Sequence, residues 1–184
     1  MITPNRLTAL RIVIAFLSPL LLLWNRSLTQ EVLVFLAFTV ACITDWWDGY
    51  LARTKSMVTW SGKIADPLAD KLLIVGLMGT FSYLGLYSFW WVVPIFIRET
   101  VVTSIRLMSL KQGRVIPAEA AGKVKVGFQI ASVYFTLVFL MILDTNPESS
   151  FLRLFQILHY AAVSLANVFT VLSGAIFFYR LRKT

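Results

Sequence analysis

The chain has 184 residues, 58% of them hydrophobic, against about 45–50% apolar in an ordinary soluble domain. The excess gathers in runs long enough to cross a hydrocarbon core of about 30 Å, which excludes a soluble globular protein and predicts a polytopic, all-α membrane protein. Lys and Arg number 17 against 9 acids, a formal charge of +8, but the bases stand in loops beside apolar runs, where topology control and anionic headgroups place them, so no nucleic-acid partner is expected.

Six apolar segments follow one another, and lipid offers their backbones no hydrogen-bond partner, so each is expected to be a helix. The first runs from about Leu7 to Trp24 and reads as a retained span behind a short basic head, not as a cleaved leader. Next come Leu33 to about Ala52 and Pro67 to Leu86, with Pro67 in a first helical turn. The fourth covers about Phe89 to Met108, the fifth Val126 to Leu143 and the sixth about Leu154 to Tyr179. Pro19 and Pro94 are expected inside helices, as kinks. Cys42 lies in an apolar run and, as the single cysteine, forms no intrachain disulfide. No repeat or linker divides the chain, which reads as one transmembrane domain over residues 1–184.

Charge orients the bundle. Arg6, Arg53, Lys55, Lys63, Lys111, Arg114, Lys123, Lys125, Arg180, Arg182 and Lys183 mark one set of ends, whereas the other carries Arg26 and Arg153. The positive-inside rule then predicts six spans with both termini cytoplasmic. Trp24, Trp90 and Trp91 fall near the sparse ends, where interfacial aromatics belong.

Four of the nine acids fall between Asp45 and Asp70. Asp45 and Asp48 are three apart and Asp66 and Asp70 four apart, so each pair shares one helix face. A short polar connection makes the two helices antiparallel neighbours, and their acids are expected to meet at the cytoplasmic boundary. Carboxylates gathered in a low dielectric repel unless protonated or compensated. An oxygen-only set suits Mg²⁺, or Mn²⁺, and four acids suffice for two ions in phosphoryl chemistry. Helix capping, or pairing with Arg53, Lys63 and Lys71, explains a single aspartate but not four on converging faces. Gly49, Ala52 and Gly62 leave room for a ligand beside the acids, and Arg53 has the fork that a diphosphate accepts.

The series Asp45-x-x-Asp48-Gly49-x-x-Ala52-Arg53-x₈-Gly62-x₃-Asp66-x₃-Asp70 resembles the signature of the CDP-alcohol phosphatidyltransferases, with no position missing. The resemblance implies a homodimeric CDP-alcohol phosphotransferase fold of six transmembrane helices in a bacterial-type cytoplasmic membrane. It implies that Asp45, Asp48 and Asp66 hold metal and the donor's diphosphate, and that Asp70 completes the metal site and is the general base. Pro4-Asn5-Arg6-Leu7-Thr8-x-x-Arg11 and Arg98-Glu99-Thr100…Arg106, followed by Gly122-Lys123-Val124-Lys125, are similar to segments of the phosphatidylglycerophosphate-synthase branch. Val126-Gly127-Phe128 departs from the Thr-rich continuation of that pattern.

The expected donor is therefore CDP-diacylglycerol, held by Asn5, Asp45, Asp48, Gly49, Ala52, Arg53, Gly62 and Asp66. The expected acceptor is sn-glycerol 3-phosphate, its phosphate met by Arg106, Lys123 and Lys125. Glu99, seven residues before Arg106, is placed to orient it, and Arg98 to pair with Glu99 or another buried acid. His159 is the single histidine, so no Ser-His-Asp set exists and transfer is direct. It reads as a core residue, and Asp144 and Glu148 as loop acids. The alternatives are a relative using another acceptor (making cardiolipin, phosphatidylinositol phosphate or phosphatidylserine) and, outside enzymes, a cation transporter.

Overall fold

In the computed structural model, residues 4–24, 26–55, 60–112, 120–148 and 150–182 are described, with backbone alone at 4–7, 48–55, 60–70 and 120–121. Among them stand six α-helices and no strand: α1 (Pro4–Trp24), α2 (Leu28–Lys55), α3 (Trp60–Tyr83), α4 (Val93–Lys111), α5 (Ala120–Thr145) and α6 (Ser150–Leu181). A 3₁₀ turn, Phe89–Trp91, precedes α4. Three helical stretches are long and apolar enough to cross a membrane: Leu28–Trp47, Gly122–Thr145 and Ser150–Leu181. Thr8–Trp24 and Lys71–Tyr83 are shorter apolar stretches. The helices outrun the apolar segments read from the sequence, because hydrogen bonding continues after the side chains turn polar. α2 begins at Leu28 and not Leu33, and α3 at Trp60 and not Pro67.

The prolines sit differently from expectation. Pro19 is inside α1, as predicted. Pro94 is not a mid-helix kink: the 3₁₀ turn absorbs Phe89–Trp91, and α4 starts with proline in its first turn, where the missing N–H costs nothing. Pro67, expected in a first turn, falls within α3.

The chain divides into two compact units, Met1–Thr80 and Phe81–Thr184. In the first, α1 packs on α2 through Thr8, Arg11, Ala15, Ser18 and Leu22, a buried series stepping three and four residues at a time along one helix face. Gly76 brings α3 onto α1: a Cβ there would lie 3.7 Å from the Ala15 carbonyl and 3.7 Å from Pro19 Cγ. On α2, Glu31 is wholly buried with Arg26 Nε 3.7 Å away, an ion pair at the start of that helix.

The second unit packs α5 along α6, and α4 and the 3₁₀ turn against α6. Its interior is unusually polar for a bundle this apolar. Lys125, Gln129, Ser132 and Thr136 line the buried face of α5, and His159, Asn167, Thr170 and Ser173 that of α6. His159 is a core residue, as expected. Its Nδ1 lies 2.8 Å from Thr136 Oγ1 and its Nε2 3.5 Å from the Leu86 carbonyl, while Tyr87 and Phe139 stack on the ring. Burial pushes the Tyr87 phenol above its ordinary range, so it stays neutral. Asp144 and Glu148 are exposed.

This cluster depends on a tight turn after α3. Gly85 adopts φ +80, and the backbone N–H groups of Gly85 and Leu86 donate back to Ser82 and Phe81. An L side chain in the left-handed region costs about 1–2 kcal/mol. Gly85→Ala is therefore expected to lower the unfolding temperature in detergent micelles by several degrees. An unchanged melting curve would remove the strain assigned to this turn.

Candidate active site

On α2 the residues that pack inward are Glu31, Val34, Phe38 and Ala41, again three and four apart. Four residues further on, the same face reaches Asp45. Packing demands relax at this point and the carboxylate stands 53% exposed. Beneath it, Arg11 of α1, 1% exposed, brings Nη1 to 3.3 Å of Asp45 Oδ1. A fully buried guanidinium thus holds one carboxylate oxygen of a half-open aspartate, which fixes its direction and leaves the outer edge accessible. Trp46 and Trp47 lie off this face. Both are exposed, with ring centroids 6.4 Å apart.

Asp48 stands three residues beyond Asp45, in the last two turns of α2. On α3, counting back from the buried Leu77 and Leu73 in steps of four, three and four gives Asp70 and Asp66. Both acid pairs therefore occupy positions that continue a packing face of their helix. The side chains of Asp48, Gly49, Ala52, Arg53, Gly62, Asp66 and Asp70 lie outside the described residues, as does that of Asn5 on α1. Among the described residues no three metal-ligating side chains cluster, Asp45 being the described member of the four. The chemistry of the set fits a divalent cation nonetheless. It consists of carboxylate oxygens alone, and the one visible member is oriented from behind with an edge left open.

The cations expected to meet an acceptor belong to the second unit, and they differ sharply. Lys123 is exposed, whereas Lys125, two residues on and hence on another face of α5, is 3% exposed. The Lys125 ammonium pairs with Glu99 Oε1 of α4. Arg98 Nη1 reaches the same oxygen at 3.4 Å, the pairing with a buried acid that the sequence suggested. Gln129 Nε2 also approaches that oxygen at 3.4 Å and donates to Thr170 Oγ1 of α6 at 3.1 Å. Arg106 is held otherwise. Its guanidinium carbon lies 5.6 Å from the centre of the Phe177 ring, in cation–π contact, and its buried Nε has no hydrogen-bond partner among the described residues.

Sequence reasoning missed two of these arrangements, the Arg11–Asp45 pair and the approach of Lys125 and Gln129 to Glu99. The signal was present in each case: a charged residue at a buried register position of an otherwise apolar helix. Arg11 falls in step with Ala15 and Leu22, and Lys125 with Gln129 and Ser132.

Comparison with known proteins adds to this geometry. The family described as CDP-alcohol phosphatidyltransferase matches residues 1–172. The CDP-diacylglycerol–glycerol-3-phosphate 3-phosphatidyltransferase of Bacillus subtilis is 36% identical over 141 residues, 71% of this chain and 73% of that protein. The Mycoplasma pneumoniae protein of the same name is 30% identical over 200 residues, covering 98% of this chain and 88% of its own length. A probable phosphatidylglycerophosphate synthase of Mycobacterium tuberculosis is 40% identical over 131 residues, 70% of this chain and 62% of the relative. Acids, helices and relatives agree, and the chain belongs to the CDP-alcohol phosphatidyltransferase family.

Proposed function

We propose that the protein transfers the phosphatidyl group of CDP-diacylglycerol to sn-glycerol 3-phosphate, giving phosphatidylglycerophosphate and CMP. The observation that carries this reading is the unbroken acidic signature, placed on two successive helices within the stretch that matches the family. Relatives that bear the name of this activity support the choice of acceptor. All six helices cross the cytoplasmic membrane in this reading, with both termini and the acids at the cytoplasmic face, and the protein works as a homodimer. The basic residues of the loops, and the exposed Trp24, Trp90 and Trp91, support that orientation.

Asp45, Asp48, Asp66 and Asp70 hold Mg²⁺ or Mn²⁺, two ions in all, and the metal supplies neutralisation of the negative charge on the donor's diphosphate. Asn5, Gly49, Ala52, Arg53 and Gly62 complete the binding of the CDP group. Asp70 accepts the proton from the primary hydroxyl of the acceptor. That oxygen bonds to the phosphorus bearing diacylglycerol as the bond from this phosphorus to the CMP oxygen breaks. Arg106, Lys123 and Lys125 meet the acceptor's phosphate, and the buried Arg106 Nε, left without a hydrogen-bond partner among the described residues, supports this role. Most of the rate comes from positioning and charge stabilisation.

Three outcomes test the reading. Purified protein given CDP-diacylglycerol and Mg²⁺ should release CMP when sn-glycerol 3-phosphate is added, and release confined to serine or inositol phosphate overturns the acceptor. Asp70→Asn should lower kcat by about 10²–10⁴, the range of general-base catalysis, while donor binding survives. Near-native turnover in that variant removes Asp70 from the base role. Asp45→Ala should raise both the Mg²⁺ concentration for half-maximal CMP release and the donor KM. Unchanged metal dependence takes Asp45 out of the metal set.

A further inference from the structure

The buried acid of α4 has no part in the chemistry above, yet it organises the unit that carries the acceptor cations. Glu99 and Lys125 form an ion pair whose side chains are 8% and 4% exposed. The same carboxylate oxygen receives Arg98 from its own helix and faces Gln129 from α5, and Gln129 extends the link to Thr170 of α6. Thr103, one turn on, donates its hydroxyl to the Glu99 carbonyl. One oxygen atom thus joins α4 to α5, and Gln129 carries the link on to α6. A buried pair of this kind contributes little net stability, but losing one partner leaves a charge stranded in the interior. Lys125 therefore cannot keep its position without the acid opposite.

Arg106 lies on the same face of α4 as Glu99, seven residues or about 10 Å along the axis. Its guanidinium rests on Phe177 of α6, and its Nε has no hydrogen-bond partner among the described residues. The distance from Arg106 to the cations of α5 is therefore set by how α4, α5 and α6 pack. Glu99 is the acid on which the described polar contacts between α4 and α5 converge.

We propose that Glu99 is a positioning residue for the acceptor's phosphate: it holds the Lys125 ammonium, and with it the start of α5, at the spacing from Arg106 that a phosphate monoester bridges. This rests on the acceptor reading above and adds the group that aligns its cations. Glu99 touches neither substrate. Its effect is confined to the half-saturation of the acceptor.

The test compares wild type with Glu99→Gln, which keeps the shape and removes the charge, and with Glu99→Asp, which keeps the charge on a shorter arm. CMP release is measured against sn-glycerol 3-phosphate and, separately, against CDP-diacylglycerol, with kcat referred to the folded fraction. Glu99→Gln should raise the acceptor KM about tenfold, leave the donor KM within about twofold, and weaken competition by inorganic phosphate in parallel. Glu99→Asp should fall between it and wild type. A variant that is merely less stable loses folded fraction and shifts neither KM, which overturns the proposal. A lower acceptor KM in Glu99→Gln also overturns it, since the acid would then be blocking Lys125 and not placing it. Wild type that ignores sn-glycerol 3-phosphate removes the acceptor reading and this proposal together. An unchanged acceptor KM in a variant of an active wild type removes this proposal alone.

Discussion

Carboxylates crowded at the edge of a low-dielectric layer cannot all stay ionised without positive charge nearby, and this constraint governs the first unit. At 4 Å two like charges repel by about 4 kcal/mol at an effective dielectric constant near 20, so four acids gathered as proposed would need cations to coexist. Part of the compensation is built into the protein. Arg11, buried in the face that α1 turns to α2, approaches Asp45 from within. The rest is assigned to divalent metal and, through it, to the donor's diphosphate. The helices before and after the acids can then be ordinary: apolar faces with three- and four-residue spacing, and close contacts such as that of Gly76 with α1.

The second unit meets the opposite difficulty. The cations proposed to meet the acceptor must stand within reach of an anion while their helices pack in a largely apolar interior. Lys125 is stabilised by Glu99, and Arg106 by the face of an aromatic ring. Ion pair and cation–π contact differ in what they leave open. The first holds the ammonium against an acid, and the second leaves the buried guanidinium Nε without a hydrogen-bond partner among the described residues. The polar seam of α5 and α6 serves the same economy, because each buried hydroxyl there closes on a neighbour. Thr136 donates to the Ser132 carbonyl, Thr170 to that of Ala166 and Ser173 to that of Thr170.

Much of this was legible in the sequence, and the limits have physical reasons. Six helices were evident because lipid-exposed apolar runs leave the backbone no alternative. Their ends were not, since a helix continues into the polar layer without a change of hydrogen bonding, as α2 and α3 do. Pro94 was misplaced because hydropathy does not distinguish a 3₁₀ turn of Phe89–Trp91 from the first turn of an apolar helix. The acidic signature stood out because four charges at fixed spacing are rare in so apolar a chain. Arg11 and Lys125 passed as loop-side bases because the positive-inside pattern is indifferent to whether a base points at water or at a buried acid. Only packing separates Lys123, exposed, from Lys125, buried.

The central claim is that Asp45, Asp48, Asp66 and Asp70 share a divalent cation. The direct measurement is an experimental structure of the protein with Mn²⁺ and CDP-diacylglycerol, the ion located by its anomalous scattering. The account predicts manganese bonded to carboxylate oxygens from both helices, beside the donor's diphosphate. Manganese elsewhere, or acids turned apart with the diphosphate held by basic side chains alone, contradicts it.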